Sequence, residues 1–278
     1  MRKFASIIVG FILSINICNA QKSISFPFGN NYDEDAQLLI GIQYNYIAQN
    51  YRLILQKNWQ ELPLDYAIDD IAYLGKLKSI SSPTKSGLSV GIPFDYQPTS
   101  NVALNFSPSF VFMNGQKIRY TSLDENLGSI DRSQRQSLNS TTGSNFNLFE
   151  FPLNLKFKSE EKHVGKYNQG RYKGYLVGGI RLSKFIGINK DYRQLESLKV
   201  NNQIYPDNII VKSQYISWEA GFGAEILFNN FKISPELKFN QSIGNVLDNN
   251  HNLATANKFM APLEKAYLRN IYFSLTFQ

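Results

Sequence analysis

Four acids, Glu150, Glu219, Glu225 and Glu236, and four bases, Lys156, Arg181, Lys232 and Lys238, fall on the polar side of segments that alternate apolar and polar residues. Carboxylates held close together can perform general acid–base chemistry or relay protons. Here a base stands on the same side for each acid, and buried charge is costly unless paired. The pattern therefore predicts a structural ion-pair network in place of a catalytic pair. Other reactive groups are sparse. His163 and His251 lie in different connections, which argues against a shared metal site or a Ser-His-Asp arrangement. Gly221-Phe222-Gly223 and Gly178-Gly179 sit inside strand-like segments without a following helix, so neither reads as a nucleotide loop. Asp69-Asp70 is an isolated acidic pair, which is ordinarily solvated. Cys18 is the only cysteine. No catalytic residue, cofactor or metal ligand is expected, and the chain does not read as an enzyme.

The first twenty residues read as a secretory signal: Arg2 and Lys3, an apolar run from Phe4 to Ile15, and a polar stretch closing on Cys18-Asn19-Ala20. The run is shorter than the ~20 apolar residues of a membrane-spanning helix. Ile17 argues against lipoprotein processing at Cys18, where a small residue is wanted. Cleavage after Ala20 removes the one thiol, which excludes disulfides and cysteine chemistry in the mature chain. Removing Arg2 and Lys3 from 29 basic residues leaves only a modest excess over 22 acidic ones, spread along the chain. That balance does not argue for nucleic acid. The division expected is a signal peptide at 1–20, a short periplasmic segment at 21–36 and one β domain at 37–278.

The elements that must position the charged side chains are strands. With 16 Tyr, 20 Phe and few sustained helical patterns, the composition favours β structure. Its slightly negative mean hydropathy suits strands with one apolar and one polar face. Eight such segments of roughly ten residues recur, the weak signature of a membrane barrel. They start at Leu38, Gly87, Val102, Phe149, Arg171, Gln214, Phe231 and Ile271. Outward apolar rows include Leu88, Val90, Ile92, Phe94 and Tyr96 in the second, and Phe149, Phe151, Leu153, Leu155 and Phe157 in the fourth. Inward polar rows include Ser217, Glu219, Gly221, Gly223 and Glu225 in the sixth, facing Lys232, Ser234, Glu236 and Lys238 in the seventh.

A two-residue turn at Asn229-Asn230 sets Phe228 against Phe231, Ile226 against Ile233 and Glu236 against Gly223. The same exercise around Gln97–Asn101 sets Phe94 against Leu104 and Ile92 against Phe106. Long connections at 49–86, 113–148, 185–213 and 244–266 interleave with shorter ones at 97–101, 158–170 and 229–230, as in outer-membrane barrels. Pro93, Pro108, Pro152 and Pro235 each remove a ladder donor and are expected to tune curvature. A soluble sandwich or lipocalin-like barrel also alternates. The apolar face here is uniformly large, while the other mixes Gly and Ser with long charged residues. That mixture fits the narrow, side-chain-filled interior of eight strands. The expectation is an all-β, eight-stranded antiparallel transmembrane β-barrel with long extracellular loops and both termini periplasmic. Ile271, Phe273, Leu275 and Phe277 are read as the lipid-facing row of the last strand and as an insertion signal for the outer-membrane assembly machinery.

Three stretches, "SGLSVGIPFDYQPTSNVALNFSPSFVF", "FEFPLNLKFKS" with "YLVGGIRLS" downstream, and "GFGAEILF" leading to "ISPELKFNQSIGNVL", resemble in order the PorT (SprT) family of Bacteroidota. That resemblance implies a component or assembly factor of the type IX secretion and gliding-motility machinery. Its implied partners are other proteins of that machinery and outer-membrane lipid. The third strand lacks the basic residue this pattern often carries before Phe106 and Pro108, and the connection after Lys158 is expanded. The alternative from the residues alone is a free-standing small barrel of the outer membrane, an adhesin or OmpA/OmpX-like structural protein, and less readily a porin.

Overall fold

The computed structural model describes residues 24–27, 33, 35–60, 74–134, 146–164, 170–200, 207–255 and 257–278. The signal segment, Cys18 and Asp69-Asp70 lie outside these residues. In chain order the elements are β1 (Ile24–Ser25), β2 (Leu38–Ile40), β3 (Ile42–Leu55), β4 (Leu77–Ser81), β5 (Lys85–Gly91), β6 (Phe94–Thr99), β7 (Val102–Phe106) and β8 (Ser109–Met113). There follow β9 (Lys117–Ser122), β10 (Ser129–Ser133), β11 (Leu148–Lys158), β12 (Lys162–Val164), β13 (Gly170–Phe185), α1 (Ile188–Val200), β14 (Gln214–Leu227), β15 (Lys232–Ser242), α2 (Asn252–Thr255) and β16 (Leu263–Phe277). The chain is all-β in class.

The main sheet is antiparallel along β3–β5–β8–β11–β13–β14–β15–β16, and β16 pairs with β3. Below this run, β2, β6 and β7 continue β3, β5 and β8 and join β11. β1 pairs in parallel with β2, on the edge that β16 leaves beyond its end.

Three of the expected strands are broken, and the breaks line up. Gly41 interrupts the first, Ile92-Pro93 the second and Ser107-Pro108 the third; the stretch of β11 opposite the last break holds Pro152. Across this crease Gly41 N–H donates to the Pro93 carbonyl at 3.2 Å, Ile92 N–H to that of Pro108 at 3.1 Å, and Ser107 N–H to that of Pro152 at 3.4 Å. Each proline lacks the N–H that a regular ladder needs, but its carbonyl still serves the neighbouring strand.

The crease corrects one expected register. Phe94 lies opposite Phe106, not Leu104, and Tyr96 opposite Leu104. The slip is two residues, so every side chain keeps its face. The turn is tighter than expected, with Thr99 opposite Val102 across Ser100-Asn101, and an extra residue in β6 between Tyr96 and Thr99 takes up the difference. At Asn229-Asn230 the pairing is as expected: Phe228 N–H donates to the Phe231 carbonyl at 2.9 Å, Ile226 faces Ile233 and Glu236 faces Gly223. The 158–170 connection contains its own short strand, with β12 folding onto the start of β13.

The long connections are not simple loops. β10, β9 and β4 form a second sheet. With α1, α2 and residues 207–211, 246–251 and 257–260 it encloses an apolar core that includes Leu74, Ile118, Tyr120, Tyr192, Ile209, Val246 and Phe259. This cap sits on one end of the main sheet and shares its core with Ile47, Tyr51, Leu148, Tyr215, Ala266 and Leu268 from the strands. β3 and β16 accordingly run further toward the cap than the alternation suggested.

Candidate functional site

Strand parity positions the site. Residues two apart share a face, so Glu150, Lys156 and Lys158 come inward from β11, Arg181 from β13, Glu219 and Glu225 from β14, and Lys232, Glu236 and Lys238 from β15. All are buried, as is Asp95 from β6. The faces are inverted relative to a soluble protein. Lys232 is 1% exposed and Asp95 0%, whereas Leu176 is 65% exposed and Phe222 59%.

The charges meet in two linked groups. Toward the cap, Arg181 lies 2.5 Å from Glu150 and 2.7 Å from Glu219. Its guanidinium stacks 3.9 Å over the ring of Tyr272, whose hydroxyl donates to Glu150 at 2.8 Å. Asn154 donates to Glu219 at 2.6 Å, and Lys238 sits 3.6 Å from Glu219 and 2.7 Å from Glu236. At the opposite end, Lys156 contacts Asp95 at 2.9 Å, while Lys158 and Lys232 share Glu225 at 2.8 and 2.9 Å. Asn105 donates to Asp95 at 2.5 Å, and Lys158 to Gln97 at 2.7 Å.

The eight charged residues expected inside are thus brought together, and the structure adds Asp95 and Lys158. Each sign is then represented five times, so the buried charges of the main sheet balance among the described residues. Charge-assisted hydrogen bonds inside a poorly polarisable interior are strong, and Asn105, Asn154 and Tyr272 occupy acceptor positions that the bases leave open. Glycines give the long side chains room. A Cβ at Gly221 would fall 2.2 Å from the Leu237 carbonyl and 2.7 Å from the Lys238 side chain; at Gly223 it would meet the Tyr175 ring at 2.5 Å. Tyr175 therefore fills the space that Gly223, opposite Glu236, leaves. The arrangement can fill and stiffen the interior; no carboxylate stands apart from a base as a poised acid or base would.

Of the last strand, Ile271 and Phe273 are exposed and Leu275 and Phe277 half-buried, while Tyr272, Ser274 and Thr276 are buried on the other face. The Gln278 backbone exchanges hydrogen bonds with Lys232 at 3.1 and 2.6 Å. The two histidines are far apart in role: His163 lies in β12 at 3.8 Å from Glu161, and His251 lies in the cap at 4.0 Å from Glu196. No group of three His, Cys, Asp or Glu suited to a metal occurs among the described residues, and no helix there is long and apolar enough to cross a membrane.

No family model matches the chain, and no curated protein matches it. Among solved structures it is similar to outer membrane protein OprG from Pseudomonas aeruginosa, at 11% identity over 86% of this chain and 93% of that one, with a TM-score of 0.38. It is also similar to Neisserial surface protein A, at 8% identity over 85% and 95% with a TM-score of 0.35. A third is Ail, the attachment invasion locus protein of Yersinia pestis, at 10% identity over 86% and 96% with a TM-score of 0.28.

Proposed function

We propose that this chain is a small, non-enzymatic β-barrel of the outer membrane, filled by its own side chains and bearing a folded cap on one side. The observation that carries this reading is the inverted burial of the main sheet. Leaving one Leu- or Phe-sized side chain in water forgoes about 1.5–3 kcal/mol. Several rows of such residues turned outward represent tens of kcal/mol that water cannot return and lipid can. A soluble monomer rarely exposes more than a few hundred Å² of contiguous apolar surface.

Counting each creased strand once, the reading takes eight strands around the interior, and the pairing of β16 with β3 supports it. β13, β14 and β16, of 16, 14 and 15 residues, exceed the ~9–11 residues needed to cross a bilayer at a tilt, which supports strands that cross and then continue into the cap. The cap, built from the described parts of the long connections, lies away from the Asn229-Asn230 turn and Gln278, so it is read as extracellular and both termini as periplasmic. Expression with the native signal, followed by outer-membrane fractionation and electrophoresis with and without heating, tests this. A heat-modifiable band in the outer-membrane fraction is expected; a soluble periplasmic protein would refute it. In planar bilayers the ion-paired interior predicts no steady large conductance.

A narrower role in type IX secretion and gliding rests on the resemblance in sequence alone. It predicts loss of type IX cargo export on deletion of the gene. Unchanged export would leave the free-standing barrel, structural or adhesive, as the function.

A further inference from the structure

We infer that the cleft between α1 and the turn preceding α2 binds a neutral, polyhydroxylated ligand of the saccharide class. The cleft measures about 340 Å³, within the range of small-molecule sites of roughly 300–1,000 Å³. One wall is the face of α1 on which Asn189, Arg193 and Glu196 recur at helical spacing; Ser213, Asp248 and His251 face them, over a floor of Tyr192 and Val211.

The walls are tied together before any ligand arrives. The Tyr192 hydroxyl accepts from Val211 N–H at 2.9 Å, its ring meets that of His251 edge-on at 5.2 Å, and Lys199 bridges α1 to the Asn252 carbonyl at 2.9 Å. His251 Nδ1 accepts from Leu253 N–H at 3.2 Å, which fixes the imidazole. Preorganisation of this kind removes an ordering cost from binding. The polar groups that face the space are left for a ligand: the Asn189 amide, the Ser213 hydroxyl and the Asp248 carboxylate have no side-chain hydrogen bond to another described residue.

Their chemistry selects the ligand. Acids and bases oppose one another across the cleft, so a phosphate or sulfate would meet two carboxylates and a metal cation would meet a guanidinium. A hydroxyl both donates and accepts, and vicinal hydroxyls can donate to Asp248 and Glu196 while accepting from Arg193 and Asn189. The site lies in the cap and involves none of the lumen residues, so it stands or falls separately from membrane insertion.

The test is a glycan array probed with the full-length protein in an amine-oxide detergent, since sugar detergents would compete. The array carries neutral, sialylated and sulfated oligosaccharides. Retention on neutral glycans is expected, reduced at least tenfold by Asp248→Asn and by Arg193→Ala with the unfolding midpoint unchanged. Absence of binding to every neutral glycan, preference for the charged ones, or binding undiminished in both variants would overturn the inference. Asp248→Asn keeps the shape of the side chain, so a folded variant is available even if Arg193→Ala is not.

Discussion

Arg181 is the residue on which the upper charge group turns, because it serves Glu150 and Glu219 at once and packs on Tyr272. Removing one partner from a buried network leaves an uncompensated charge, at a cost of about 3–5 kcal/mol. Arg181→Ala is therefore expected to lower the unfolding free energy obtained from a urea titration of the detergent-solubilised protein by that much, and adding Glu219→Gln to recover part of the loss. A change of under about 1 kcal/mol in the single variant would show that the pairs are not coupled as described. The exposed pair in the cap behaves differently. Arg119 donates to Asp131 at 2.8 and 3.1 Å and holds its carboxyl below the usual carboxylate range. A depressed folded value means that the contribution is complete above the unfolded pKa of about 4 and fades as the pH falls through the folded value. Because solvent screens such pairs, Asp131→Asn should leave the midpoint at pH 7 almost unmoved in a denaturant titration. At this scale, parity alone identified eight charged residues. Lys158 shares the parity of Glu150 and Lys156 but stands last in its strand, and Asp95 shares the inward parity of Ser89 and Gly91 but has no base in its own segment; neither has a local signal that it pairs across the sheet.

The crease and the cap are properties of elements. Pro93, Pro108 and Pro152 are readable as irregular positions and Gly41 is not, and their alignment depends on registers that no single segment contains. A Cβ at Gly41 would fall 1.9 Å from the Phe277 carbonyl, where β3 begins its pairing with β16. Gly41→Val should therefore abolish the heat-modifiable band, whereas Gly244→Ala, with nothing within 4 Å of the added carbon, should preserve it. The cap leaves no alternation in the sequence, for a physical reason. Its apolar residues arrive in twos and threes from distant segments, Leu74 and Leu77, Ile118 and Tyr120, Ile209 to Val211, Phe259 and Met260, and none sustains a period long enough to declare a face. The helix α1 was likewise hidden, since only Ile188, Tyr192 and Leu195 of its 13 residues are buried. A packed core protects its amides from exchange. Hydrogen exchange should find β9 and residues 209–211 protected on the scale of β14 and β15; exchange at loop-like rates would contradict the cap.

At the scale of the whole molecule, the amphipathic sense of single strands reverses along their length. In β16 the half toward Phe277 puts Ile271 and Phe273 outside and Ser274 and Thr276 inside, whereas the half toward Leu263 puts Lys265 and Arg269 outside and Ala266 and Leu268 inside. In β3 the same change runs from Ile42, Tyr44 and Tyr46 outside to Ile47 and Tyr51 inside. The Glu150–Arg181–Tyr272 cluster lies where the two regimes meet, with Tyr272 belonging to the cap core as well as to the charge network. On the proposed reading, one chain thus matches two surroundings, lipid around its lower wall and water around its cap. Trp218 reports on the first directly, since it points outward from β14 in the apolar row between Ile216 and Phe222 at 41% exposure, while Trp59 packs against the cap core. In a Trp59→Phe background reconstituted into bilayers, Trp218 fluorescence is expected to be quenched by lipids brominated on their acyl chains and spared by aqueous acrylamide. Quenching by acrylamide with no response to brominated lipid would contradict the lipid-facing wall.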